Sequence, residues 1–466
     1  MTGGRARCTI EVTLLALAIS ITYANSFAGV FQFDDFFAIV ENPVVHSFPA
    51  WWADLVRGGI RPLLKLSYLI NYSAGGIFGF HLFNVTLHFC NTLLIYALSR
   101  LLIRASSVHP DAQLSISWLT ALVFAVHPMQ VEAVTYITGR SSSLMSFFYL
   151  GSLFCYAHGR STGRRLLAYL VGPFLFLLAF ATKETSISLP VALLLFDVGT
   201  RKSPFGPFGP LRARNLRGHL IYWLMALAFV FVAITHPGYK RLLAESISST
   251  TLYESVLTQA HGVWYLLCHA VIPTSLNIDP DLAVLRTLSV PVACELLFVV
   301  GGLVLGLIAL RRHPCPGFAI LWFLFHTFLV YTVTARSDVI NERHLYLGSW
   351  GLCLLLALTL ARALRTWPRG KKIFLACTCC VLLFLIGITM ARNRIYASEV
   401  LLWQDTVKKS PAKARAHNNL GYAYYLSGDL RKAREAYVRA LELNPGSVVT
   451  RNNLTLLDAG RAPPRI

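Results

Sequence analysis

Residues 12–35 read VTLLALAISITYANSFAGVFQFDD, an apolar run that ends near Ala28 and is soon followed by the adjacent carboxylates Asp34 and Asp35. Arg5 and Arg7 precede the run. A basic start before an apolar stretch of this length is typical of a membrane span or of a cleaved signal peptide. We favour an uncleaved first span because the acidic pair follows at once. With the arginines inside, the acidic pair lies outside.

The composition is that of a membrane protein. The chain has 466 residues, of which 55% are hydrophobic and only 14% are charged, with a mean hydropathy of +0.56. Soluble domains carry about 25% charged residues. The net charge of +20 does not indicate nucleic acid, because much of the basic excess lies in short loops between apolar runs. The ten cysteines lack metal-site spacing, so we expect neither disulfides nor a metal centre from them.

Charge and hydropathy together predict an all-α, polytopic membrane protein with about eleven spans. The predicted spans are residues 12–28, 81–103, 114–126, 134–156, 166–181, a sixth ending at 195, 220–235, 288–310, 318–334, 345–364 and 373–390. Residues 258–273 are apolar but short, and counting them as a span would place Arg311 and Arg312 outside. We therefore interpret this segment as an interfacial or re-entrant helix.

The C-terminal segment carries a tetratricopeptide pattern. Asn453-Leu454 follows Asn419-Leu420 by 34 residues, and Pro445 follows Pro411 by the same interval, which is the length of that repeat. We divide the chain into a transmembrane domain, residues 1–391, whose first extracytoplasmic loop is 29–80, and an extracytoplasmic repeat segment, residues 392–466. One full unit is fewer than the usual three, so we expect the segment to pack on the membrane domain or on a partner.

Acids and bases gather at the predicted outer ends of several spans. They are Asp34, Asp35, His127, Glu132, Arg140, Lys183, Glu184, Glu342, Arg343 and His344. Within the second span, His81, Asn84, His88 and Asn91 share one helical face. Hydrogen bonding between helices explains this stripe more readily than catalysis does. A structural ion-pair network would explain the outer groups, and so would binding of a lipid-linked phosphate, which needs such cations.

Taken together, the motifs resemble the C-type (GT-C) membrane glycosyltransferases. Their order and spacing are most similar to the transmembrane, tetratricopeptide-containing protein O-mannosyltransferases. The resemblance is carried by Asp34-Asp35, Asn42-Pro43, Arg61-Pro62, Ser67-Tyr68, Phe80-His81, Asn84, His88, Asn91, His127-Pro128, Glu132-Ala133-Val134, Gly139-Arg140, Lys183-Glu184, Pro190, Asp197 and Glu342-Arg343-His344-Leu345-Tyr346-Leu347. The chain departs from the family in its short repeat segment and in His344, which stands where an aromatic residue is expected.

The resemblance implies a glycosyltransferase that moves a sugar, mannose by default, from a polyprenyl-phosphate donor to Ser or Thr hydroxyls of translocated proteins. A first-loop aspartate would be the general base, and we prefer Asp35, with Asp34 holding it or a metal ion. The implied donor-phosphate ligands are Lys183, Arg343 and Arg140. The implied substrate-orienting residues are His127, Glu132, His81 and His88. We assign no metal ligands, although some relatives use Mg²⁺ or Mn²⁺.

Two alternatives stay open at this point. One is a lipid-donor glycosyltransferase that acts on a glycan or lipid acceptor. The other is a non-catalytic, membrane-anchored scaffold whose repeat recruits a protein partner. The expected partners are the lipid donor, membrane lipid and a polypeptide, but not nucleic acid. The short repeat segment favours a bacterial inner membrane with a periplasmic active site. In a eukaryote the site would face the lumen of the endoplasmic reticulum.

Overall fold

The computed structural model describes residues 2–104, 110–200, 213–241, 244, 250–333, 339–366, 369 and 371–464. Throughout these ranges the regular structure is helical, with no strand, which confirms the predicted all-α fold. The α-helices described between residues 2 and 235 are α1 (Thr2–Tyr23), α2 (Phe48–Val56), α3 (Pro62–Ala74), α4 (Gly76–Arg104), α5 (Pro110–Val126), α6 (Val131–Val134), α7 (Arg140–Thr162), α8 (Gly172–Thr182), α9 (Leu189–Gly199) and α10 (Ala213–Thr235).

The second half continues this pattern and ends in the helices of the repeat segment. Its helices are α11 (Leu252–Val271), α12 (Val290–Arg312), α13 (Pro314–Leu324), α14 (Val330–Val333), α15 (Leu345–Thr366), α16 (Lys371–Ile395), α17 (Glu399–Lys409), α18 (Ala414–Leu426), α19 (Leu430–Leu443) and α20 (Val448–Asp458). Single turns of 3₁₀ or π geometry join several of them, among them Phe36–Val40, Pro128–Gln130 and Glu342–His344.

Seven helical stretches in the described part of the chain are long and apolar enough to cross a membrane. They are Ala6–Ala28, Gly76–Arg104, Gly218–Thr235, Val290–Arg312, Pro314–Val333, Glu342–Thr366 and Leu375–Ile395. Each overlaps one of the eleven predicted spans. The other four predictions fall on α5, α7, α8 and α9, which are shorter or more polar. Helix α11, which we interpret as interfacial or re-entrant, is not among the seven.

Helix α4 lies at the centre of the membrane domain and packs against α1, α3, α5 and α7. Trp322 of α13 and Trp350 of α15 are fully buried, with ring centroids 4.6 Å apart in a T-shaped pair. The indole of Trp350 donates to Ser99 Oγ of α4 at 2.9 Å. Paired buried indoles with satisfied N–H groups fix helix positions. They therefore hold α15, and the Glu342–His344 turn before it, against α4.

The loop of residues 29–80 contains two short helices, α2 and α3. Phe48, Trp52 and Val56 of α2 are exposed, at 58%, 53% and 70%. An apolar face of this kind suits the membrane interface. At the start of α3, Arg61 pairs with Glu184 through two hydrogen bonds of 2.5 and 3.0 Å. This ion pair ties the loop to the turn between α8 and α9.

Helices α18 and α19 form the antiparallel pair that the 34-residue period predicts. Small residues, among them Gly421 and Ala433, lie where the two helices approach each other. The segment contacts the membrane domain through Asp279, whose carboxylate accepts from Arg415 at 2.6 and 2.9 Å and lies 2.5 Å from Lys413 Nζ. The repeat thus packs on the membrane domain, as expected for a segment of this size.

Candidate functional site

The two adjacent aspartates point in different directions. Asp35 is fully buried, and its oxygens accept the backbone N–H groups of Gln32 at 2.9 Å and Thr138 at 2.8 Å. Burial raises the pKa of Asp35 to about 7, against the opposing effect of these two hydrogen bonds. The Asp35 carboxylate therefore joins the first loop to the segment between α6 and α7.

Asp34 faces the solvent instead. Its side chain is 46% exposed, and its Oδ2 lies 3.8 Å from Nη2 of Arg343. The backbone N–H of Asp34 donates to the hydroxyl of Tyr136 at 2.9 Å. The preceding residue, Phe33, has a φ of +42°, in the left-handed region that side chains seldom adopt. This strained residue turns the chain so that the two carboxylates diverge, and they do not form a shared ligand pair.

Arg343 connects Asp34 to the interior. Its Nε lies 3.5 Å from Oε1 of Glu132, and its backbone N–H donates to Oε2 of the same carboxylate at 2.9 Å. The guanidinium also lies over the ring of Tyr136, 5.8 Å from its centroid. Burial raises the pKa of Glu132, and the charge of Arg343 opposes this shift. Three predicted site residues, Asp34, Glu132 and Arg343, therefore meet in one cluster, which we call the Asp34 group.

Two of the three predicted phosphate ligands lie elsewhere. Arg140 is fully buried, and it donates to Asn84 Oδ1 at 2.6 Å and to the carbonyl oxygens of Ser67 and Phe80 at 3.0 Å each. Lys183 is 1% exposed, and its ammonium donates to Ser142 Oγ at 2.9 Å. These contacts use both cations to hold helices together, which favours the structural explanation that the sequence left open for them.

His127, one of the predicted substrate-orienting histidines, likewise makes its contacts within the protein. His127 accepts from the backbone N–H of Met129 at 3.2 Å and lies 2.9 Å from the carbonyl of Ala270. Burial lowers its pKa to about 4, so the ring is neutral at physiological pH. With Nδ1 accepting, Nε2 donates to Ala270. His127 therefore caps the Pro128–Gln130 turn and ties it to the end of α11.

The polar stripe of α4 bonds to neighbouring segments along its length. His81 Nε2 lies 3.1 Å from the carbonyl of Gly29, and Asn84 donates to that of Val134 at 3.1 Å. His88 lies 2.9 Å from the hydroxyl of Tyr346, and Asn91 donates to that hydroxyl at 3.1 Å. Since these contacts join α4 to three other segments, they favour interhelical hydrogen bonding over substrate orientation for His81 and His88.

A cavity of about 670 Å³ lies beside Asp34, between the loop of residues 29–80 and the repeat segment. Its loop side carries Phe36 and Phe37, and the ring of Phe37 is 85% exposed. Its repeat side carries Arg415, Asn418 and Asn419 among other residues. An apolar wall facing amide groups, with a carboxylate at the rim, suits a polar chain molecule with hydroxyl groups.

Several residues of this region carry no sequence signal for their role. Only tertiary packing brings Tyr136 to Asp34, and Asn418 and Asn419 to the cavity beside it. Phe37 lies in an apolar run of the sequence, which gives no reason to expect its side chain to be exposed. Within the described ranges, no group of three or more His, Cys, Asp or Glu side chains converges as a metal site would.

The fold and this region define an all-helical integral membrane protein with a tetratricopeptide repeat. The family model described as tetratricopeptide repeat matches residues 414–447. Over nearly the whole chain, the sequence is similar to proteins named protein O-mannosyl-transferase, as the motifs predicted.

One such relative, from Caenorhabditis elegans, is 25% identical over 460 residues, which cover 93% of this chain and 62% of the relative. Protein O-mannosyl-transferase TMTC3 of Mus musculus is 25% identical, with 95% of this chain and 52% of the relative covered. Protein O-mannosyl-transferase TMTC1 of Homo sapiens is 27% identical, with 95% and 56% covered. The chain thus spans only about half to three fifths of the length of these relatives.

Proposed function

We propose that this protein is a glycosyltransferase that moves a sugar, mannose by default, from a polyprenyl-phosphate donor to a Ser or Thr hydroxyl of a translocated protein. The observation that carries the proposal is the position of Asp34, a half-exposed carboxylate beside Arg343 at the rim of a cavity shared with the repeat. Similarity to proteins named protein O-mannosyl-transferase supports the same reaction class.

Asp34 is the better placed of the two carboxylates to act as general base. Both oxygens of Asp35 accept backbone N–H groups in a buried turn, whereas Asp34 is open to the cavity. A base must come within hydrogen-bond reach of the proton that it removes, which an exposed carboxylate at a cavity rim can do. The proposal therefore reverses our sequence-based preference and gives Asp35 the task of holding the turn.

In the proposed reaction, the acceptor hydroxyl oxygen attacks the anomeric carbon and its proton passes to Asp34. The bond between that carbon and the phosphate oxygen breaks, and polyprenyl phosphate leaves with the bonding electrons. Arg343 would stabilise the charge that develops on the leaving phosphate. Glu132 holds Arg343 in place through its backbone and side chain. Lys183 and Arg140 would act indirectly, by fixing the helices around this group.

The acceptor would lie in the cavity between Phe37 and the amides of Asn418 and Asn419. Primary amides both donate and accept hydrogen bonds, so they match the backbone of an extended polypeptide. The Nδ2 atom of Asn419 is buried without a hydrogen-bond partner among the described residues, which leaves a donor for an acceptor carbonyl. The proposed site lies on the outer face, periplasmic in a bacterial inner membrane or lumenal in the endoplasmic reticulum.

The decisive experiment is transfer in vitro from radiolabelled polyprenyl-phosphate mannose to a Ser/Thr-rich peptide. Wild type would be compared with Asp34→Asn and Asp35→Asn, each checked for folding by its thermal unfolding profile. Labelling by wild type that folded Asp34→Asn loses would support Asp34 as the base. Donor consumption without peptide labelling would indicate a glycan or lipid acceptor. No donor consumption with mannose or with other sugars would favour the scaffold alternative.

A further inference from the structure

A second cavity, of about 690 Å³, lies on another side of the junction between the membrane domain and the repeat. Its walls come from the end of α11, the loop that follows it, the end of α16 and the first helix of the repeat segment, α17. The Asp34 group is not part of its lining. Its volume is in the range of small-molecule sites.

Charged side chains of both signs are among the polar residues that line this cavity. Arg392, Lys408 and Lys409 line it, against the carboxylates Asp405 and Asp281. Asp405 is already paired, because Arg392 Nη1 and Lys409 Nζ each donate to its Oδ2 at 2.7 Å. Three cations against two carboxylates leave the lining with one positive charge in excess.

Arg392 is the unusual member of the set. It is 4% exposed, and its Nε and Nη2 atoms have no hydrogen-bond partner within the described part of the chain. Oε2 of Glu342, which also has no hydrogen-bond partner in the described ranges, lies 4.0 Å from Nη2, an ion-pair distance that is beyond hydrogen-bond length. Buried polar groups are almost always satisfied, so two unsatisfied donors on one guanidinium indicate a missing acceptor.

Nε and one terminal nitrogen form the side of the guanidinium that binds two oxygens of one phosphate at once. Thr274 and Ser275, both exposed in the loop after α11, add hydroxyl groups to the lining, and Lys408 is exposed at its edge. Hydroxyls and cations around a guanidinium are the groups that bind a phosphate monoester or diester.

The apolar surroundings indicate how that phosphate is attached. Tyr265, Ile388 and Ile395 line the cavity beside the cations. At the end of α11, Val271 and Ile272 are 72% and 65% exposed. Helix α16 packs on α1 and α5, whereas α11 packs on α12. The cavity thus lies between two helices that pack on different neighbours.

We propose that this cavity binds the phosphate head group of a membrane lipid, with Arg392 and Lys408 on the phosphate and the lipid tail between α11 and α16. The inference goes beyond the proposed function, because it does not require the lipid to be the sugar donor. Glu342 and Arg343 are adjacent in sequence, one facing Arg392 and the other facing Asp34. A lipid phosphate bound at Arg392 would therefore lie beside Glu342, whose sequence neighbour Arg343 belongs to the Asp34 group.

The test is photoaffinity labelling of the full chain in phosphatidylcholine nanodiscs with a diazirine derivative of farnesyl monophosphate, followed by peptide mapping. We expect the label on residues 388–395 and 265–275. Excess unlabelled farnesyl monophosphate should compete, whereas farnesol and inorganic phosphate at the same concentration should not. Labelling confined to other peptides would overturn the proposal, and equal competition by inorganic phosphate would overturn the lipid assignment.

Variants at the cavity edge provide the second readout. Lys408→Glu should reduce labelling of the 388–395 peptide about tenfold, the loss expected for one charge-assisted contact, and Lys408→Arg should retain it. Lys432→Glu, on an exposed helix outside the cavity, is the matched control. Unchanged labelling in Lys408→Glu would count against the site. Because Asp34→Asn should still be labelled, failure of the transfer assay and failure of this site are distinguishable.

Discussion

The carboxylate of Glu132 contacts both the backbone and the side chain of Arg343, although the two residues are 211 positions apart in the sequence. The carboxylate of Glu132 accepts the backbone N–H of Arg343 at 2.9 Å and faces its guanidinium at 3.5 Å. A carboxylate that binds both parts of one residue fixes its position as well as its charge. The guanidinium is thereby directed toward Asp34.

Loss of the Arg343 charge should therefore impair transfer, and it should also lower stability because the buried carboxylate of Glu132 loses its cation. We expect Arg343→Gln to lower kcat by about 10² to 10³, the usual effect of removing one group that stabilises a developing oxyanion. Arg343→Lys should lose less, because it keeps the charge but not the forked geometry. Steady-state kinetics of mannose transfer would measure this. Arg439→Gln, at an exposed pair with Glu442, is the control, and a wild-type kcat in Arg343→Gln would contradict the role.

The different surroundings of the two aspartates predict different costs for the same substitution. Asparagine at position 35 offers one acceptor oxygen where two backbone N–H groups now bind, so Asp35→Asn should lose about 1–3 kcal/mol of stability. Asp34→Asn should stay within about 0.5 kcal/mol of wild type, as at other surface positions. Thermal unfolding in detergent, followed by tryptophan fluorescence, would compare them. Equal unfolding temperatures would show that Asp35 does not hold the turn.

Asp35 also predicts a pH dependence of stability. Its pKa is raised by burial to about 7 in the folded protein, compared with about 3.9 in an unfolded chain. The folded state therefore binds this proton more tightly. Its contribution to stability is fully present below about pH 4 and is lost as pH rises through about 7.

The measurement is the apparent unfolding temperature of wild type minus that of Asp35→Asn, between pH 5 and pH 8. We expect this difference to fall as pH rises. A difference that stays constant, or that increases with pH, would contradict a protonated Asp35 in the folded state at low pH. Asp34→Asn is the matched control, because this variant keeps the titrating carboxyl group of Asp35.

The contact between α18 and α19 gives a test of the repeat. A Cβ atom at Gly421 would lie 2.7 Å from the ring of Tyr437 and 3.1 Å from the carbonyl of Ala433. Gly421→Ala should therefore cost about 1–3 kcal/mol, as overpacking does. Gly446→Ala is the control, since its nearest neighbour is 3.5 Å away. Unfolding of the full chain, followed by hydrogen exchange in 414–447, would report the effect. Unchanged protection in Gly421→Ala would contradict the close approach.

The sequence predicts the class of fold because membrane spans and the repeat are local patterns. Seven of the predicted spans coincide with long apolar helices, and the repeat lies where its period placed it. The spans predicted at α7 and α9 are not among the seven long apolar helices of the described residues. Buried serines such as Ser142 and Ser143 make α7 polar, and its packing against other helices, rather than its hydropathy, places it inside the protein.

The candidate site is only partly predictable for a related reason. The sequence identifies Asp34, Glu132 and Arg343, and the structure brings them together. The sequence does not distinguish these three site residues from Arg140 and His127, because the same residue types also serve as buried hydrogen-bond donors and helix caps. Nor does it distinguish Asp34 from Asp35, since the difference depends on the N–H of Thr138, about a hundred residues away.

The ring of Phe33, just before the acidic pair, lies between two side chains of the repeat segment. Trp403 meets it edge to face at 5.3 Å, and the guanidinium of Arg415 lies 5.7 Å from its centroid. The strained backbone at Phe33 is thus held by contacts from the other end of the chain. The repeat segment therefore supports the turn at Phe33 as well as packing on the membrane domain. We expect a chain cut after α16 to keep its membrane helices but to lose the orientation of Asp34, its proposed base.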